Sequence, residues 1–353
     1  MAALTAIFAA AQPIPANNPN VCTWPGVYCC TGSAVTVLDL SYNVNTIEHP
    51  PTPHLCNHTA RERGEKFPAT LSDSIGQLTG LTDLNAKGLW LAGSVPRSFS
   101  QLTEMQNLNL SHNCFVGPLL DAIFCMPALI SVIAGQNVFT SELRQGPAAY
   151  AADKLSTMDF GSNRLSGPIP AALAKLPSPD VSLYLYSNRL TGNIPPALLQ
   201  RVFALNASGN RLTGNFNTTG FGESVTGIDV SDNLFSGSFP HIVCHQSNLA
   251  TIFSHNRLRG AVPTNCFKSG SSFPKCIFLS HNNFSGSLQP FSNLPTDITA
   301  LNLRFNKFKG SIPPRLASLP QLQYLDLRAN ALRGEVDWKT GDSTKLVVKT
   351  IYC

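Results

Sequence analysis

The chain has 353 residues, with 25 basic and 20 acidic side chains and a formal net charge of +5. That balance is mild and includes no Lys/Arg run, which argues against nucleic acid as a partner. Only 13% of the residues are charged, below the usual quarter or so, and Asn, Ser and Thr supply the polar surface instead.

Residues 1–11 resemble the apolar core and small-residue end of a signal peptide, although no Lys or Arg precedes them. Residues 12–20 are rich in Pro and Asn and read as a linker. Residues 21–36 form a cysteine cap around Cys22, Trp24, Gly26, Val27, Cys29 and Cys30. A cap is needed there, because the first strand of a stacked fold is an open edge over exposed apolar side chains.

From 37 to 337 one pattern recurs, seen most plainly in Ile298, Leu301, Leu303, Asn306, Phe308, Gly310, Ile312 and Pro313. The next copy holds Leu322, Leu325, Leu327, Asn330, Leu332, Gly334 and Val336, which puts the asparagines 24 residues apart (330 − 306). A fixed period of that size marks a solenoid. Leu301-x-Leu303 puts two side chains on one face of a short strand. The Asn amide can satisfy backbone groups where the chain turns inward, Gly310 permits a tight bend, and Pro313 suits an irregular return. One coil cannot bury its leucines alone, whereas stacked coils can, with one parallel strand each.

The Asn position is held by Asn43, Leu89 (a substitution), Asn113, Asn137, Asn163, Asn188, Asn210, Asn233, Asn256, Asn282, Asn306 and Asn330, which counts twelve coils. From Asn113 onward the spacing stays within 22 to 26 residues. The gap from Asn43 to Leu89 is longer, and 49–66 reads as a loop insertion without leucine alternation. Residues 338–353 read as a C-terminal cap that is short or cut. No later stretch reaches the roughly 18 consecutive apolar residues of a membrane span.

Cys-x-Trp-x-Gly-Val-x-Cys at 22–29, followed by LxxLxLxxNxLxGxIP repeats, is similar to the plant-type extracellular leucine-rich repeat family over about 21–337. That family includes receptor-like kinase and receptor-like protein ectodomains and polygalacturonase-inhibiting proteins. The resemblance implies an α/β repeat solenoid. Its form would be a leucine-rich repeat horseshoe or superhelix of about twelve coils, with a parallel sheet on the concave face and a disulfide N-terminal cap.

Ten cysteines point to an oxidising, extracellular compartment, secreted or at the cell surface. Near the start the expected pairs are Cys22–Cys29 and Cys30–Cys56. Cys244 and Cys266 fall at nearly the same place on successive coils, and Cys114–Cys125 stays open within one coil. Sequons at Asn57, Asn109, Asn206, Asn217 and Asn283 agree with secretion and mark glycosylation positions.

No nucleophile elbow, P-loop or H-E-x-x-H signature occurs, so the reading is non-enzymatic, with no cofactor and no metal site. His49, His54, Cys56 and His58 crowd one loop, but a polar loop pinned through a bonded Cys56 explains them better than a metal does. His241 and His245 around Cys244 read the same way. His112, His255 and His281 each directly precede their Asn, and the repeat's own duplication explains that habit better than a pH-sensitive rim.

Specificity should lie in the outward column of the strands. Most of its members are small or polar, and the exceptions are informative. Tyr184 and Tyr186 share one strand. Asp229, Ile252 and Phe278 follow, with His255 and His281 beside them. Arg304, Phe305, Tyr324 and Arg328 continue the patch. Exposed aromatics and Arg are what binding hot spots use. At ~4.8 Å per strand the patch spans on the order of 30 Å. Glycans at Asn109 and Asn206 would cover the first half of the face, which favours the C-terminal half.

The expected function is a receptor-like recognition module for a protein or peptide ligand, with carbohydrate as a further ligand class and no nucleic acid. Two alternatives differ in kind. One is a soluble inhibitor of a secreted wall-degrading enzyme. The other is a structural surface-coat or wall-associated antigen, although such antigens in trypanosomatids favour Thr where this chain keeps Asn.

Overall fold

A computed structural model of the chain describes residues 27–29, 34–40, 70–118, 123, 125–140, 142–143, 154–176, 178, 180–216, 221–222, 224–244, 250–267 and 274–334. The expectations for residues 1–20, the loop at 49–66 and the segment 338–353 lie outside them. The chain divides into two units, Met1–Leu190 and Thr191–Cys353.

In the first unit the strand Val27–Cys29 runs antiparallel to Val35–Asp39, with Val27 opposite Leu38. It covers the edge that the first coil would otherwise leave open. Parallel strands follow at Asp83–Asn85, Asn107–Asn109, Ser131–Ile133, Thr157–Asp159 and Val181–Tyr184. Leu38 pairs directly with Leu84 across the long sequence gap. In the second unit six parallel strands are Val202–Asn206, Gly227–Asp229, Ala250–Ile252, Cys276–Phe278, Ala300–Asn302 and Tyr324–Asp326. The solenoid and its parallel sheet are therefore as the repeat predicts.

In most of these strands the middle residue is buried and its neighbours are at least partly open, as in Ile277 between Cys276 and Phe278, while Ala300 and Asp326 are buried flanking residues. That is the period of two that a sheet with one buried face requires.

The Asn of each coil does more than turn the chain. Asn306 Nδ2 donates to Leu279 O of the preceding coil at 2.9 Å and to its own Leu303 O at 3.0 Å. Its Oδ1 accepts from Phe284 N–H, also on the preceding coil, at 3.0 Å. Asn113, Asn137, Asn163 and Asn188 make the same cross-coil bonds in the first unit. The amide suits this because one planar group offers two donors and an acceptor.

The return side departs from the irregular path expected of it. After the Asn the chain forms a second strand, two to five residues long. In the second unit these include Ser236–Gly237, Arg257–Ala261, Asn283–Gly286, Lys307–Ser311 and Ala331–Arg333, joined in parallel as one sheet. The physical reason is a second period-two run: in Lys307-Phe308-Lys309 only Phe308 is buried, and it is fully so. Short 3₁₀ turns such as Arg97–Gln101 and Pro314–Ser318, and the α-turn Pro196–Leu199, complete the coils.

Phenylalanines fill the space between the two strand sets. Phe115 and Phe139 stack 6.1 Å apart in the first unit, and Phe284 and Phe308 stack 6.4 Å apart in the second. Each fully buried ring contributes about 1.5–3 kcal/mol of transfer free energy.

Candidate binding face

Each main strand ends in a bend whose last residue before the Asn adopts the left-handed conformation. His112, His255, His281 and Phe305 have φ of 56°, 55°, 53° and 52°. This backbone costs a non-glycine residue roughly 1–2 kcal/mol and is used here at nearly every coil. It throws the side chain of that residue outward beside the strand column. A Ser-His-Asn triplet therefore delivers its imidazole to the open face.

In the second unit two files of side chains result. The first is the strand column. Asp229 pairs in register with Ile252, Ile252 with Phe278, Phe278 with Asn302, and Asn302 with Asp326. Ile252 and Phe278 are half-buried and leave apolar area open to solvent. Tyr324 lies two residues before Asp326 on the same strand; its ring centroid is 6.2 Å from that of Phe278, and its hydroxyl is 3.5 Å from Asn302 Nδ2.

The second file is the row of bend residues. The His255 and His281 rings stack with centroids 4.0 Å apart and 15° between planes. Phe305 continues the row at 4.4 Å from His281, and the Arg304 guanidinium lies 4.5 Å from the Phe305 centroid. At the other end Asp232 Oδ1 is 3.8 Å from His255 Nδ1. Burial, then the neighbouring His255 and Arg304, hold the His281 imidazole below its ordinary 6.5, against the weaker pull of Asp232 and Asp326.

Arg304 and Arg328 differ despite equivalent positions. Arg328 grips Asp326 with two bonds, Nε to Oδ1 at 2.9 Å and Nη2 to Oδ2 at 2.6 Å. Burial raises the Asp326 pKa, but the Arg328 bonds and the Arg304 charge outweigh it and leave the carboxyl below its ordinary value. Arg328 is thus committed to the fold, whereas the Arg304 side chain makes no ion pair among the described residues and its buried Nε has no hydrogen-bond acceptor.

Tyr184 and Tyr186 belong to the first unit and form a group of their own. Tyr184 pairs with Asp159, and Tyr186 lies over Gly161, where any side chain would collide with its ring. Burial raises the Asp159 pKa, partly offset by the Gly161 N–H bond at 2.9 Å and by the charge of His112. The Tyr186 hydroxyl is raised by burial and by Asp159.

Cys244 and Cys266 are joined by a disulfide with Cα atoms 4.8 Å apart. Cys29 is disulfide-bonded, while Cys22, Cys30 and Cys56 lie outside the described residues. Cys114 is bonded and Cys125 is an exposed thiol, so the Cys114–Cys125 bridge left open above is not formed. Among the sequons, Asn109 and Asn206 sit on main strands, each with Oδ1 accepting from its own Ser hydroxyl at 2.7 Å. Asn283 is exposed on the second strand set, and Asn57 and Asn217 lie outside the described residues.

Asp232 is the site residue that the repeat alone did not single out. The signal was available, since Ser231-Asp232-Asn233 fills the same triplet as Ser254-His255-Asn256.

Residues 154–176 and 297–319 match the family model described as Leucine Rich Repeat. Receptor-like protein 35 of Arabidopsis thaliana is 27% identical over 226 residues, which is 56% of this chain and 21% of that protein. The chain therefore spans about a fifth of the length of that curated relative. Among solved structures, a TDR receptor superposes with a TM-score of 0.65 at 28% identity, covering 75% of this chain and 46% of the receptor. The plant peptide hormone receptor RGFR1 in complex with RGF2 gives a TM-score of 0.60 at 26% identity, covering 74% of this chain and 46% of the receptor.

Proposed function

We propose that this chain, a plant-type extracellular leucine-rich repeat protein, is a receptor-like module that binds a protein or peptide ligand without catalysis. The single observation that carries the reading is the paired file in the second unit. Ile252 and Phe278 lie in register on the strands, and the stacked His255, His281 and Phe305 run beside them. An open sheet would ordinarily carry small polar residues there, and aromatic area beside a free guanidinium is what hot spots are made of. Similarity to a receptor solved with its peptide hormone supports the same ligand class. An extended peptide laid along the sheet would place successive side chains over the two files. No helix among the described residues is long and apolar enough to cross a membrane. The extracellular setting rests on the receptor-like relatives and on the Cys244–Cys266 disulfide.

The test is capture of peptides from extracellular fluid by the oxidised full chain, identified by mass spectrometry, with affinities of the synthetic copies measured by calorimetry. Phe278→Ala and Phe305→Ala should each weaken binding at least tenfold while leaving the melting transition cooperative. Unchanged affinity in both variants would reject this face.

A further inference from the structure

The second strand set of the second unit presents a different surface. Its outward positions hold Arg257 and Arg259, then Asn283, then Lys307 and Lys309, then Arg333, all exposed, while Leu258, Phe284, Phe308 and Leu332 between them are buried. The strands are joined in register, with Arg259 beside Asn283, Ser285 beside Lys307 and Lys309 beside Ala331. No Asp or Glu lies in Ser236–Gly237, Arg257–Ala261, Asn283–Gly286, Lys307–Ser311 or Ala331–Arg333. None of these five cations makes an ion pair with a described residue.

Duplication of the repeat explains part of this row. An Arg directly after the Asn recurs at Arg164, Arg189, Arg211 and Arg257. The third residue after the Asn behaves differently. It is Ser166, Thr191, Thr213, Ser236 and Ser285 in other coils, but Arg259, Lys309 and Arg333 in three of the last four. The counterpart strands Ala92–Gly93, Cys114–Gly117 and Val138–Phe139 of the first unit carry no charge. Replacing a hydroxyl by a long cation three times on one sheet face builds a lane of a single sign.

We infer that this lane is a docking surface for an acidic polysaccharide, a linear sugar polymer bearing carboxylates. Neighbouring cations lie roughly 5–12 Å apart on strands spaced ~4.8 Å, so an extended chain crossing the strands meets one after another. Charge complementarity is the attraction, and the remaining outward residues say what else is missing. They are Ser236, Ala261, Asn283, Ser285, Ser311 and Ala331. With no outward aromatic there is nothing to stack nucleic-acid bases. With no outward large apolar side chain there is neither a wedge for a lipid surface nor an anchor for a protein partner. This surface is independent of the peptide-binding face.

The experiment uses the full oxidised chain freed of N-glycans, with immobilised polygalacturonate, neutral dextran and poly-glutamate as probes. Binding to polygalacturonate and not to dextran is expected, falling steeply between low and physiological salt because exposed charges are screened. The variant Arg259→Ser/Lys309→Ser/Arg333→Ser should lose binding at least tenfold. A control with the same charge change elsewhere, Arg97→Ser/Lys154→Ser/Lys175→Ser, should lose less than twofold. Equal loss in the two variants would reduce the effect to net charge and overturn the proposal. So would no binding to polygalacturonate, and so would tighter binding to poly-glutamate, which would point to an acidic polypeptide instead.

Discussion

Asn282 donates from Nδ2 to the carbonyl of Phe253, 29 residues earlier, at 2.9 Å, and its Oδ1 accepts from Leu258 N–H at 3.0 Å. The side chain thus adds to the backbone bonds that still join the coils at the bend, such as Asn282 N–H to Phe305 O at 3.2 Å. Both groups it serves belong to buried residues. Asn282→Ala would strand a buried donor and a buried acceptor together, at about 1–3 kcal/mol each. The expected loss is roughly 3 kcal/mol, read as a lower denaturant midpoint with an unchanged slope. Asn282→Asp should be no milder, since a carboxylate cannot donate to Phe253 O and adds a buried charge.

Phe308 is fully buried between Phe284 and Phe291, with centroid distances of 6.4 and 6.2 Å. Phe308→Ala removes a ring that neighbouring coils cannot close over, because each is held by its own Asn. A loss of about 3–5 kcal/mol is expected. Phe308→Leu, which keeps most of the volume and matches Leu332 at the same place in the next coil, should cost about 1.5 kcal/mol or less. Paired melts of the two variants check the contrast.

How far these features were legible follows from which level of structure sets them. Period two and the 24-residue repeat put Ile252 and Phe278 side by side, and the register does the same. The second strand set hid inside the motif because Phe308 reads as a leucine substitute until its exposed flanks, Lys307 and Lys309, are counted. The contact between His255 and His281 depends on the left-handed bend that each occupies, a backbone state no residue pattern announces for His. Arg328 looked equivalent to Arg304 in sequence, and only the bidentate hold on Asp326 separates them.

Ala329 occupies the same bend with a φ of 53° and an exposed side chain. The left-handed backbone costs an alanine roughly 1–2 kcal/mol, while glycine loses about 0.5–1 kcal/mol more entropy on folding. Ala329→Gly should therefore stabilise the chain by roughly 0.5–1 kcal/mol. The substitution Ala300→Gly on the neighbouring strand should do the opposite. Thermal melts that show Ala329→Gly destabilising would mean the bend is not strained.

His281 sets a pH dependence whose sign can be worked out. Burial, His255 and Arg304 hold its pKa below the ordinary 6.5, so the native chain refuses a proton that the unfolded chain accepts. Its contribution to stability is fully present above about 6.5, and declines as pH falls from there towards the native pKa. Chemical denaturation at about pH 7.5 and about pH 5.5 should show a drop in the wild type. His281→Phe keeps a ring between His255 and Phe305 but cannot titrate, so the drop should shrink. An identical drop in both proteins would assign the acid sensitivity elsewhere.

The Asp326–Arg328 pair gives the reverse signature when it is broken. The Asp326 side chain is 1% exposed, and its carboxylate is kept ionised by the two Arg328 bonds and the charge of Arg304. Arg328→Ala leaves a buried charge with its main partner gone, at roughly 3 kcal/mol or more near neutrality. With burial then dominant, the Asp326 pKa should rise above its ordinary 3.8. The native variant would take up a proton before the unfolded chain does, so its stability should recover as pH falls through that raised pKa. The wild type behaves oppositely, since its lowered carboxyl contributes stability above about 3.8 that is lost on acidification. Crossing of the two stability profiles on going from neutral to acid pH is the expected result, and parallel profiles would show that Arg328 is not what keeps Asp326 charged.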